Sequence, residues 1–168
     1  MQTHKVAAGA FAIALMALAA CSSGHKETVV TSGGTVTTDT SADSKTTTIT
    51  SQGSTLKVGQ NVVDPAKLGL PVYPGASTAE GGGWAMQSKA GGGEMVTLTT
   101  ADTFDKVEAW YKSKMPADSE SLSMKSGDTA TAMFSVGKET DKEQSSVMIN
   151  GEKDKTTITL THQVKKGS

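Results

Sequence analysis

The 168-residue chain has no arginine, one cysteine and only 4% aromatic residues. Each shortage excludes something. Without arginine there is no bidentate fork to grip phosphates or carboxylates. Sixteen lysines stand against seventeen acids for a net charge of −1, which argues against a dedicated nucleic-acid binder with a basic patch. One cysteine excludes an internal disulfide framework and a cysteine-rich zinc site. No apolar run reaches the roughly 18 residues that suggest a membrane-spanning helix.

What the chain does have begins with an address. Residues 1–20 read as a secretory signal peptide: His4 and Lys5 form a short n-region, and Val6 to Leu18 form an Ala-rich apolar h-region. Ala19 and Ala20 then lead to Cys21. The stretch Leu18-Ala19-Ala20-Cys21 resembles the lipobox of bacterial lipoproteins. That resemblance implies a diacylglyceryl thioether on Cys21, cleavage before it, and acylation (palmitate) of the new amino group. Two or more chains anchor stably, at roughly 0.8 kcal/mol per buried CH₂, where one is marginal. Ser22, in place of an aspartate that would hold such a protein at the inner membrane, points to the outer membrane in a two-membrane host. Loss of Lys5 with the leader leaves fifteen lysines against seventeen acids, so the anchor is the lipid and not a polybasic patch.

Residues 21–45 are Ser, Thr, Gly and Asp with almost no large apolar side chain, a composition that suits a flexible tether. As a Gly/Ser-like coil it would reach about 27 Å. The alternative is hairpins, because Thr28-Val29-Val30 and Thr35-Val36-Thr37 are β-prone and Gly33-Gly34 suits a turn. Residues 46–63 hold the better hairpin candidate, Thr46–Thr50 and Thr55–Val58 around Ser51-Gln52-Gly53-Ser54.

Residues 64–168 read as a small folded domain. Asp64-Pro65-Ala66-Lys67-Leu68-Gly69 has the N-cap, first-turn proline and stopping glycine of one helical turn. The block Leu68-Gly69-Leu70-Pro71-Val72-Tyr73-Pro74-Gly75-Ala76, with Trp110-Tyr111-Lys112 on a later helix, resembles uncharacterised bacterial envelope proteins. The resemblance covers roughly residues 64–115. It implies a small α+β fold with one amphipathic helix and carries no activity.

Period supplies the rest. Trp84-Ala85-Met86-Gln87-Ser88 and Glu94–Thr100 alternate as strands around an expected loop at Ala90–Gly93. Phe104, Val107, Tyr111 and Met115 form one stripe of a helix over 103–115, capped by Thr100 or Asp102 and ended by Pro116. Four more runs follow: Ser121–Lys125, Thr129–Gly137, Ser145–Asn150 and Lys155–Val164, with loops at Ser126-Gly127-Asp128 and Asn150–Asp154. The expected fold class is therefore α+β: an antiparallel sheet of about six strands with one amphipathic helix on one face. No parallel βαβ unit is present, which sets aside nucleotide-binding doubly wound folds.

The chemistry is sparse. His162, on the face of Ile158 and Leu160, is the domain's one histidine, and no Gly-x-Ser-x-Gly elbow exists. Neither Asp128 nor Glu152-Lys153-Asp154 has the spaced carboxylates of an EF-hand loop. Gly81–Gly83 and Gly91–Gly93 lack the Gly-Lys-Ser/Thr of a phosphate loop and read as turns flanking Trp84. No cofactor, metal site or catalytic residue is therefore expected. Met95, Met133 and Met148 fall on nominal outer faces and keep an apolar contact surface open. Tyr73, Trp84 and Trp110 are the candidate partner-binding residues, against the simpler account in which these rings fill a small core.

The functional expectation is a noncatalytic, lipid-anchored envelope domain, bound to the membrane through its N-terminal lipid, that binds or scaffolds a protein or cell-wall partner and no nucleic acid. Two alternatives stand beside it. A hydrolase-type enzyme needs His162 within reach of a hydroxyl and a carboxylate. A small apolar-ligand carrier needs a cavity bordered by Tyr111, Met124 and Phe134.

Overall fold

The computed structural model describes residues 24–31, 34–43, 45–137 and 141–166. The signal peptide, the lipobox and Cys21 lie outside the described residues.

The elements, in chain order, are β1 (His25–Thr31), β2 (Gly34–Thr40), β3 (Thr46–Ser51), β4 (Ser54–Gly59), a 3-10 turn (Pro65–Leu68), β5 (Ser77–Ser88), β6 (Gly91–Thr100), α1 (Phe104–Lys114), β7 (Glu120–Ser126), β8 (Thr129–Val136), β9 (Glu143–Glu152) and β10 (Lys155–Lys165). All ten strands belong to one antiparallel sheet ordered β1-β2-β3-β4-β5-β6-β10-β9-β8-β7. This overturns the expected fold class of an α+β domain with about six strands. The protein is mostly β, and α1, the one α-helix among the described residues, is eleven residues long.

The four strands beyond the expected six come from the Thr-rich N-terminal region, where the hairpin candidate over residues 46–63 forms as β3 and β4. Thr and Val suit a pleated surface, and the β3–β4 hairpin is closed by a tight connection. Gln52 and Gly53 both take positive φ (50° and 78°), the conformation of the two-residue turn whose twist matches a hairpin. Two isolated hairpins would be marginal. Here β4 pairs with β5, placing Leu56 opposite Met86 and Val58 opposite Trp84, so both hairpins extend an existing sheet. Over residues 25–40 the hairpin, not the coil, is what forms; of its Gly33-Gly34 turn, Gly33 lies outside the described residues and Gly34 opens β2.

The glycine triplets are corrected as well. Both lie inside strands, Gly81–Gly83 in β5 and Gly91–Gly93 in β6, and the β5–β6 turn is at 89–90. Asn150-Gly151, expected in a loop, continues β9. There α1 comes close: a Cβ on Gly151 would stand 2.6 Å from Phe104 Cβ.

The core lies on one side of the sheet. Val96, Leu98, Ala132, Phe134, Val147, Ile149, Ile158 and Leu160 present one face, and Phe104, Val107, Tyr111 and Met115 of α1 cover it. That is the expected helical stripe. The 3-10 turn forms as its sequence indicates: Asp64 accepts from Ala66 N–H (3.1 Å) and Gly69 closes it at φ 68°. The cap of α1 does not. Thr103 is its N-cap without a side-chain bond, and the expected cap Asp102 is engaged instead with Tyr73 and Lys106. Glu108, buried on α1, accepts from Ser123 Oγ (2.5 Å) and pairs with Lys112 at 3.2 Å. Lys112 also reaches Glu120 at 3.0 Å, so the helix is tied to β7 by polar contacts.

Candidate functional site

Three groups of residues are candidates, and the structure separates them. The first is the aromatic cluster. Tyr73 is 4% exposed, donates its hydroxyl to Asp102 Oδ2 (2.7 Å) and meets Trp110 edge-on at 5.2 Å. Trp110 is half-buried and meets Tyr111 edge-on at 4.8 Å. Tyr111 is fully buried, lies 6.1 Å from Phe134 and donates to Pro71 O (3.0 Å). These rings therefore clamp the Leu70–Tyr73 segment onto α1. Burial, then the Asp102 hydrogen bond, pushes the Tyr73 phenol up, and burial does the same to Tyr111. Tyr73 and Trp110 are placed in packing, while Trp84 is elsewhere.

The second candidate surrounds His162. Its Nδ1 and Ser145 Oγ are hydrogen-bonded at 2.9 Å across β10 and β9. Glu94 is the Cα partner of His162 on β6. The hydroxyl is thus in place, whereas the carboxylate shares a register position and not a hydrogen bond. An open cleft of about 580 Å³ lies here, lined by His162, Glu94, Lys67, Lys166 and the glycines of β6. Among the described residues no three His, Cys, Asp or Glu side chains converge as a metal site. The apolar-carrier cavity is not assembled from its expected walls. Tyr111 and Phe134 face the core, but Met124 is 58% exposed and pairs with Thr131 on the other face of the sheet.

The third candidate is that other face. Antiparallel partners share a face, so the registers define its rows. One runs Leu122, Met133, Met148, Thr159, Thr97. The next runs Val58, Trp84, Met95, Thr161, Ser146, Ser135. A third runs Ile49, Leu56, Met86, Gly93, Gln163, Gln144. No charged side chain stands in any of them. The row on the reverse side, Lys57, Ala85, Glu94, His162, Ser145, shows the contrast. Val58, Met86, Leu122, Met124 and Met148 are each more than a third exposed. Trp84 is half-buried within this face; its ring edge lies 3.3 Å from where a Gly93 Cβ would stand, so the missing side chain gives the indole its bed.

The sequence indicated part of this face through Met95, Met133 and Met148. It did not indicate the share from β3 and β4, because Ile49, Leu56 and Val58 join only through the pairing of β4 with β5. The Ile49/Leu56 alternation among threonines was the available signal.

No helix among the described residues is long and apolar enough to cross a membrane. Comparison with protein-family models, with curated proteins and with solved structures finds no match to this chain.

Proposed function

We propose that this protein is a lipid-anchored, noncatalytic scaffolding module of the bacterial cell envelope, held in the extracytoplasmic space by acylated Cys21 and acting through the uncharged face of its sheet. The outer membrane is the proposed site in a two-membrane host, from Ser22. One observation carries the binding reading: a sheet face of Met, Trp, Val and Thr whose central rows are free of charge, in a chain whose residues are 20% charged. Solvated sheet faces carry charge, whereas contact surfaces shed it from their centres and gain Met and aromatics.

The test uses the lipidated protein extracted in mild detergent. It migrates in an assembly larger than one chain. Thr159→Lys with Ser146→Lys dissolves that assembly while leaving membrane attachment and the unfolding midpoint unchanged. Survival of the assembly in the double variant overturns the reading.

A hydrolase reading is favoured by one observation, the Ser145–His162 hydrogen bond. It would require a carboxylate to orient the ring, and Glu94 is the candidate. An ester- or amide-cleaving activity abolished by both Ser145→Ala and His162→Ala would establish it in place of the scaffold.

A further inference from the structure

We infer that the occupant of the uncharged sheet face is a second copy of this chain, packed face to face as a two-sheet sandwich. This deepens the scaffold reading and rests on it. The helix and the Leu68–Tyr73 segment cover one side of the sheet and leave the other open, which is half of a sandwich.

Charge selects the partner. Two copies bring neutral centre against neutral centre, with no like-charge contact and no ionic group left to desolvate. A strongly charged polymer would find nothing on these rows to pair with. The charges that share the face parity are Glu27 on the edge strand β1 and Glu152, Lys155 and Lys165 at strand ends, and together they form a rim. A neutral centre within a charged rim is the usual layout of a protein–protein contact.

Size is consistent with that partner. Eight strands from β2 to β8, spaced at about 4.8 Å and five residues deep, give roughly 570 Å² in projection, about 1,100 Å² for two copies. That falls just below the roughly 1,200 Å² of stable interfaces, the size of a weak dimer. Trp84 fills the space over Gly93, which keeps the centre of the face low, and Met148 stands 37% exposed on it. In an isologous pair the same neutral patch meets itself. Anchorage of both copies in one membrane raises their effective concentration, which a weak contact needs.

The test is sedimentation equilibrium of the full lipidated protein in density-matched detergent, up to about 100 µM, the range that reads a weak interface. The wild-type chain is expected to be a reversible dimer. Met148→Lys and Met86→Lys, both at exposed positions, should each weaken it by about tenfold or more. Val30→Lys, on the reverse face and 78% exposed, should leave it unchanged. A wild-type monomer, or a dimer indifferent to both face variants, overturns the inference. Binding of the wild-type monomer to isolated cell-wall sacculi, lost in Met148→Lys, would also overturn it and assign the face to glycan. If the chain is monomeric but its envelope assembly still dissolves with the Thr159/Ser146 double lysine, the scaffold reading stands and only the second copy is lost.

Discussion

The hydroxyl of Tyr111 donates to the carbonyl of Pro71 at 3.0 Å, joining the helix to an extended segment forty residues earlier. That bond sits at the centre of the core, since the Tyr111 ring is fully buried against Phe134 and Trp110. Tyr111→Ala should therefore cost roughly 3–5 kcal/mol, as other buried large aromatics do. Tyr111→Phe should cost about 1–2 kcal/mol, because it strands the Pro71 carbonyl while keeping the ring. Urea unfolding followed by tryptophan fluorescence reads both. A near-neutral Tyr111→Ala would contradict the helix orientation.

The close approach of α1 to β9 makes a second prediction. A Cβ on Gly151 would meet Phe104 Cβ at 2.6 Å, and both atoms belong to regular elements with little room to shift. Gly151→Ala should destabilise by about 1–3 kcal/mol through overpacking. Gly127→Ala, in a turn with open space around it but φ at 57°, should cost only about 1 kcal/mol. Equal thermal shifts in the two variants would contradict this packing.

These elements also show how far the sequence could be read. The stripe Phe104, Val107, Tyr111, Met115 is a local pattern of period 3.6, and it is the buried face of α1. Asp64, Pro65 and Gly69 fix their turn from within six residues. The alternation of Ile158 and Leu160 against Thr157 and Thr159 likewise carries its own two faces. What escaped was non-local. Thr28 to Thr50 is equally compatible with a coil, and only the docking of Leu56 and Val58 on Met86 and Trp84 tips it into the sheet. Gly91–Gly93 resembles a turn by composition, yet it is a strand whose backbone packs closely on β5 and β10. The same reasoning applies to the candidate site. Single strands announce their outer methionines, but the width of the neutral face exists only once the strand order is known.

Asp102 gives a pH prediction. It accepts from Lys106 (2.8 Å) and from Tyr73 (2.7 Å), and these bonds, Lys106 foremost, hold its carboxyl below the usual range. A folded-state value below the unfolded one, about 3.9, stabilises the fold above that value. The contribution is lost as pH falls through the folded value. Lys106 is raised by the same pair, and Tyr73 is raised by burial and then by Asp102. Their contributions are present below unfolded values of about 10 and are lost as pH climbs through the folded ones. The urea midpoint should fall between about pH 6 and pH 3, and fall less in Asp102→Asn. Identical falls in the two proteins would remove Asp102 from the account.

The anchor makes the fourth prediction. Cys21→Ser removes the thiol on which the lipid is proposed to sit, so the protein should leave the membrane fraction and lose incorporation of labelled palmitate. The neutral sheet face alone offers no acyl chains, and the processed chain carries no excess of lysine for anionic headgroups. A Cys21→Ser protein that stays with the membrane would contradict a lipid anchor.

The central claim is that the uncharged side of the sheet is the working surface. The most direct measurement places a photo-crosslinking residue at Met148 on that side, or at Lys57 on the reverse, in the lipidated protein in intact cells. The account predicts a discrete adduct from position 148 in the membrane fraction and none from position 57. An adduct from position 57 alone, or none from position 148, would contradict it.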